Sequence, residues 1–258
     1  MAAPSPSRPD AALFDYLLRL GDDSLILGQR LTEWCGHAPT LEVDLSLANI
    51  GLDLIGQATL FLGVAGEVEG RGRDADALAF HRDAHAFRNC LLVEQPNGDF
   101  ARTIARQWLF STWQLALLEG LSTSAERRIA EIAEKAVKEV RYHADLAADW
   151  VVRLGDGTEE SRRRMIDGLD WHWRFVDELF DGDPIEQPLV EAGIAVDRAA
   201  LRPGFDATVG AVLEAATLPA AARPRPIKGG RVGHHSEHLG HLLAPMQYLP
   251  RAYPGAVW

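Results

Sequence analysis

The sequence predicts an all-α fold. Apolar residues recur at helical spacing through several stretches of roughly 20 residues or more. Glycine and proline gather in the short polar breaks between those stretches, and strand-type alternation is scarce. Long helices with short connections are the pattern of an antiparallel helical bundle.

Residues 1–9, MAAPSPSRP, read as a loose leader without the apolar core of a signal peptide. A helix is expected from Asp10 to Trp34, with Leu13, Leu17, Leu20, Leu27 and Leu31 on one side, stopped by Gly36 and Pro39. The next, Leu41–Glu69, is apolar on nearly every side except for a polar stripe of Glu42, Ser46, Asn49, Asp53 and Gln57. That pattern predicts a central helix buried on most faces. A shorter helix is expected around Ala77–Asn89. Pro96-Asn97-Gly98 then signals a turn, with Asp99 placed to cap a helix over Phe100–Leu121. Ala125–Leu154 and Glu159–Phe180 complete the long elements. Beyond them come a loop around Pro184–Val196, a helix near Asp197–Thr217, a Pro/Arg-rich segment to Gly230 and a last helix near Ser236–Tyr248. Residues 10–258 therefore read as a single domain, with a bundle core over about 10–180 and a helical extension over about 181–258.

Composition narrows the function classes. The 258 residues carry a net charge of −11, which opposes non-specific binding to nucleic acid. No apolar run is read as reaching the ~18–20 residues of a membrane span. Two cysteines, Cys35 and Cys90, make no disulfide framework, and free thiols in a reducing cytoplasm are expected.

Three constellations carry chemistry. Leu54 and Gln57 stand three apart after Asp53, and Val140 and His143 three apart after Glu139. Di-iron bundles place Glu-x-x-His at that spacing, because iron takes carboxylate oxygen and imidazole nitrogen together. The spacing by itself favours a plainer reading, ordinary helix residues. His234, His235, Glu237, His238 and His241 contain two i,i+4 pairs that could build a relocated metal site. Polar helix-start or interface residues are the preferred reading there, and a solvated face is preferred for His81 and His85. Arg223, Arg225, Lys228 and Arg231 form the one basic cluster, able to grip a coenzyme A phosphate or a partner, against the plainer reading of a solvated linker.

Four stretches, GDDSLILGQRLTEWCGHAPTLEVDLSLANIGLDLIGQA, LLVEQPNGDFARTIARQ, KAVKEVRYH and EHLGHLLAPMQYL, resemble the C subunits of bacterial phenylacetyl-CoA 1,2-epoxidases. The resemblance implies a ferritin-like fold and a non-catalytic subunit. Its implied partner is a related di-iron A subunit, within a cytoplasmic complex that epoxidises phenylacetyl-CoA. It implies no cofactor on this chain: di-iron belongs to the A subunit, and NADPH, flavin and an iron–sulfur centre to a reductase component. Matched to the A-subunit pattern from the turn Ala38-Pro39-Thr40-Leu41, the six ligand positions fall on Ser24, Leu54, Gln57, Ser111, Val140 and His143. Five of the six lack a carboxylate or imidazole, so no metal site is carried over. Asp53 and Glu139 are implied relics of the acids that supported the ligands, with Asp53 expected to face His143 and Glu139 to face Gln57. A subunit of this kind is expected to bury a large apolar face on its partner and to homodimerise without it. The alternatives are a helical metalloprotein with its site at His234–His241, or a free-standing helical binding protein.

Overall fold

The computed structural model describes residues 8–220, 222 and 224–256, and its helices are α1 Arg8–Thr32, α2 Leu41–Glu69, α3 Ala75–Phe80, α4 Leu91–Glu94, α5 Phe100–Leu121, α6 Arg127–Gly155, α7 Glu159–Trp173, α8 Gln187–Glu191, α9 Arg202–Ala215 and α10 Glu237–Ala252. Short 3₁₀ turns occupy Ala84–Ala86, Val176–Phe180, Arg198–Leu201 and Gly230–Val232. Among the described residues there is no strand, as an all-α fold requires. The leader expected over 1–9 lies outside the described residues, apart from the first two residues of α1.

Two compact units divide the chain. The first holds the described residues of Met1–Cys35, Leu45–Pro96 and Gly229–Trp258; the second holds Gly36–Asp44 and Asn97–Lys228. The expected C-terminal extension is thus shared, its earlier part in the second unit and α10 in the first.

In the first unit, α1 and α2 run antiparallel at glycine-width spacing. A Cβ on Gly21 would lie 2.7 Å from the Leu62 side chain, and one on Gly28 would lie 3.1 Å from the Gly51 carbonyl oxygen. A side chain at Gly21 would force Leu62 to repack. The inner face of α2 buries Leu47, Ile50, Leu54, Ala58, Phe61, Leu62 and Ala65. Its other apolar face stays open, with Leu45 55% and Leu52 63% exposed. That corrects the expectation of a helix buried on most faces: periodicity registers apolar residues, not what covers them. The expectation about membrane spans is corrected too. By length and composition α2 could cross a membrane, although a core helix meets the same test.

Charge packs against α1. Asp22 accepts from Arg82 Nη1 at 2.9 Å and from the Arg88 N–H at 2.8 Å, and both side chains of the Arg82–Asp22 pair are buried. Asp23 accepts from the Cys90 N–H and from Arg231 Nη2, each at 2.7 Å. Burial pushes the Asp23 carboxyl above its usual range, against the pull of Arg231 and Cys90. Gly230 and Gly233 let the Arg231 turn lie flush on its neighbours, since a Cβ there would meet the Asn89 and His85 carbonyl oxygens at 2.1 and 2.2 Å. At Gly233 the backbone also sits at φ +82°, which a side chain would strain.

The second unit is built on α5, α6 and α7. Asp99 caps α5 by accepting from the Arg102 N–H at 2.9 Å. On α6, Ile129, Ala133, Ala136, Val140, Ala144, Ala147 and Val151 form the buried stripe, at steps of three or four residues. A capping box of Thr158 and Ser161 starts α7. The expected Glu159–Phe180 helix breaks after Trp173, where the Arg174 carbonyl accepts the Ile227 N–H at 2.8 Å and the chain tightens into a 3₁₀ turn. The expected Ala77–Asn89 helix ends at Phe80, because Asp22 takes the Arg88 N–H and Arg82 is drawn into its ion pair. The single turns α4 and α8 carry no periodic signal; α4 is buried throughout, and α8 is anchored by Leu189.

Replacing Arg231 by Met should leave Asp23 buried without its cation and cost about 3–5 kcal/mol. Denaturant unfolding of the full chain measures this, and adding Asp23→Asn should recover part of the loss.

Candidate functional site

The six ligand positions fall three to a unit. Ser24, Leu54 and Gln57 lie on α1 and α2, and Ser111, Val140 and His143 on α5 and α6. All six are buried. Within the first unit, α1 touches α2 beside Leu54, since a Cβ on Gly28 would stand 3.3 Å from the Leu54 Cβ. Within the second, Ser111 Oγ donates back to the Gln107 carbonyl at 2.7 Å, the ordinary helical partner of a buried serine. Asp53 and Glu139, the two implied supporting acids, are half-buried.

This donor set does not fit a di-iron centre. Leu54 and Val140 offer no lone pair, and neither has exposed surface through which another ligand could enter. Ser24, Ser111 and Gln57 supply neutral oxygens where anionic ones are needed to offset the charge of iron. The acids nearest Ser24 in sequence, Asp22 and Asp23, are held by Arg82 and Arg231. Among the described residues no three of His, Cys, Asp and Glu group as metal ligands.

The histidine cluster serves a different end. His235 Nδ1 meets Glu94 Oε2 at 2.7 Å, and its Nε2 meets the Phe87 carbonyl at 3.1 Å. The other Glu94 oxygen accepts from the Ser236 N–H at 2.6 Å and hydroxyl at 2.7 Å, so a buried carboxylate seats the start of α10. Arg30 completes the junction by donating to the Glu94 and His238 carbonyls at 2.7 and 3.1 Å. His234, Glu237 and His241 are exposed, as are His81 and His85.

The basic cluster disperses. Arg223 lies outside the described residues, and Arg225 is exposed. Lys228 pairs with Asp181 at 2.6 Å, and Arg231 is buried on Asp23. Sequence reasoning missed Glu94, Arg82 and the α5–α7 surface around Arg102 and Trp171. Adjacent acids inside an apolar helix, Asp22 and Asp23, were the available signal that arginines had to be buried beside them.

In the second unit His172 is fully buried, and Nδ1 donates to the Gly168 carbonyl at 2.9 Å. Burial, with the Arg106 charge next, holds its pKa well below the ordinary value. The ring is neutral at pH 7.

A family model described as phenylacetic acid catabolic protein matches residues 1–258. The chain is also 52% identical over 243 residues to the C subunit of the 1,2-phenylacetyl-CoA epoxidase of Escherichia coli (strain K12). The match covers 94% of this chain and 98% of that relative.

The contacts of His235 set a pH dependence. Acceptors at both ring nitrogens favour the imidazolium form, which alone can donate from both. Burial opposes that charge, but Glu94, the Phe87 carbonyl and the Asp22 charge raise the His235 pKa above its ordinary value. A raised folded-state pKa gives stability that is complete below about pH 6.5 and lost as pH rises through the folded value. Melting temperature should therefore fall from about pH 6 to pH 9 in the wild type. The fall should be smaller in His235→Gln, as read by calorimetry across that range.

Proposed function

Because the chain belongs to the phenylacetic acid catabolic protein family, we propose that it is the non-catalytic subunit of a phenylacetyl-CoA 1,2-epoxidase, supporting a related di-iron subunit that performs the ring oxidation. The observation that supports this reading is the donor set: Leu54 and Val140, which the resemblance matches to two iron-binding carboxylates, are fully buried and offer no lone pair. Asp53 and Glu139 are, on the same reading, remnants of the acids that once supported those ligands. Reducing equivalents from NADPH enter through a flavin and iron–sulfur reductase component, not through this chain.

The surface of α2 supports a role in assembly. Leu45, Leu52 and Leu60 are 55%, 63% and 41% exposed along one helix. Between Leu52 and Leu60, Gly56 has open space where a side chain would be, which lets another helix approach closely. The helix carries Glu42, Asp44, Asp53, Glu67 and Glu69, and no Lys, Arg or His. A partner bringing basic side chains to the rim of an apolar helix therefore fits better than a second copy. The exposed Arg225 remains available for a coenzyme A phosphate or for the partner.

Co-expression with the di-iron subunit tests the assignment. The pair should co-purify and turn over phenylacetyl-CoA, whereas this chain alone should not. Replacing Leu45 and Leu52 together by Glu should weaken the pair at least about tenfold, with little change in the melting temperature of the free chain. Failure to co-purify with that subunit would favour a free-standing binding protein.

A further inference from the structure

A cleft of about 360 Å³ opens in the second unit between the start of α5 and one face of α7, walled by Asp99, Arg102, Arg164, Asp167 and Trp171. The Arg102 guanidinium lies 3.9 Å from the centre of the Trp171 ring, and that of Arg174 lies 5.1 Å from the same ring. Two cations thus share one indole. Arg102 Nε and Nη2, Arg174 Nε and Trp171 Nε1 are all buried, and none of these four donors has an acceptor among the described residues. Asp99 is near but already committed, with one oxygen on the Arg102 backbone N–H and the other 3.5 Å from Arg164 Nη1.

The room for Arg102 is built into the backbone. A Cβ on Gly98, at φ +65°, would stand 2.5 Å from Arg102 Cδ, and one on Gly168 would stand 3.1 Å from Arg102 Cα. Burial holds the Arg102 guanidinium below its ordinary pKa; Asp99 opposes this and the Arg174 charge adds to it. At the rim, Arg163 and Arg164 are engaged by Glu160 and are half exposed or more, so both can swing aside.

We propose that this cleft is a phosphate-binding site, in which the Nε/Nη2 edge of Arg102 takes two oxygens of a phosphate group and Trp171 Nε1 donates to the third. The Nε/Nη2 edge is the fork that grips oxyanions in bidentate fashion. Three unpartnered donors on two residues of the cleft wall, Arg102 Nε and Nη2 and Trp171 Nε1, match the three terminal oxygens of a phosphate better than the two of a carboxylate. The assignment rests on the residues of this unit and stands independently of any role in the epoxidase.

Thermal unfolding of the full chain with inorganic phosphate, against chloride and acetate at matched ionic strength, tests it. A tenfold excess of phosphate over its dissociation constant should raise the melting temperature by about 3 °C and saturate. Arg102→Met should abolish the shift and Arg127→Ala, at an exposed arginine away from the cleft, should keep it. Arg102→Lys, which keeps the charge without the fork, guards against misfolding of the Met variant and should bind at least about tenfold more weakly. Broadening of the phosphorus NMR line by the wild type, absent with Arg102→Lys, gives a second readout. Adenosine 3′-monophosphate identifies the source: displacement of phosphate assigns the site to a phosphorylated ligand, and no displacement assigns it to the free ion. No phosphate-specific shift, an equal shift with acetate, or a shift that survives in Arg102→Met would overturn the proposal.

Discussion

A carboxylate withdrawn from water must be met by a cation or by several donors, and the first unit is arranged around that constraint. Asp22 and Asp23 lie buried in the middle of α1, and Glu94 is buried as well. Arg82 reaches Asp22 from beyond α3, and Arg231 reaches Asp23 from the turn before α10. Glu94 is met by Asn89, His235 and Ser236. These contacts join segments far apart in the chain, so charge compensation fixes where α10 and the 82–94 segment sit. Removing one arginine would uncouple a whole segment, not one side chain.

The same constraint bears on metal binding. A di-iron protein neutralises its buried carboxylates with metal. This chain keeps guanidinium groups for the acids of α1, and on the proposed reading Leu54 and Val140 occupy the positions of ligand acids. A core filled in this way gains packing and loses chemistry. The proposed supporting role would then rest on the surface, and α2 presents exposed leucines on a helix whose charged residues are all acids.

Much of this was legible in the sequence. Leu41–Glu69 and Phe100–Leu121 begin and end where periodicity and the Asp99 cap put them, because long helices are governed by local pattern. That Leu54 and Val140 offer no lone pair to a metal could be read directly, since a residue's identity says what it cannot ligate, and their burial followed from the helical pattern. Legibility failed where a long-range partner decides the outcome. Arg231 looked like one member of a basic surface run, and only its pairing with Asp23, 208 residues away, buries it. His235 looked like a candidate metal ligand for the same reason, its true partner Glu94 lying 141 residues earlier. The early stop of α3, the break after Trp173 and the open leucine face of α2 likewise depend on what the rest of the chain covers.

The central claim is that this core holds arginine-compensated acids and apolar filler in place of a metal. Iron content of the purified chain after anaerobic reconstitution with ferrous iron and desalting tests it most directly. Far less than one iron per chain is expected, with no change in melting temperature on adding iron. A reproducible two irons per chain, bound tightly enough to survive desalting, would contradict it.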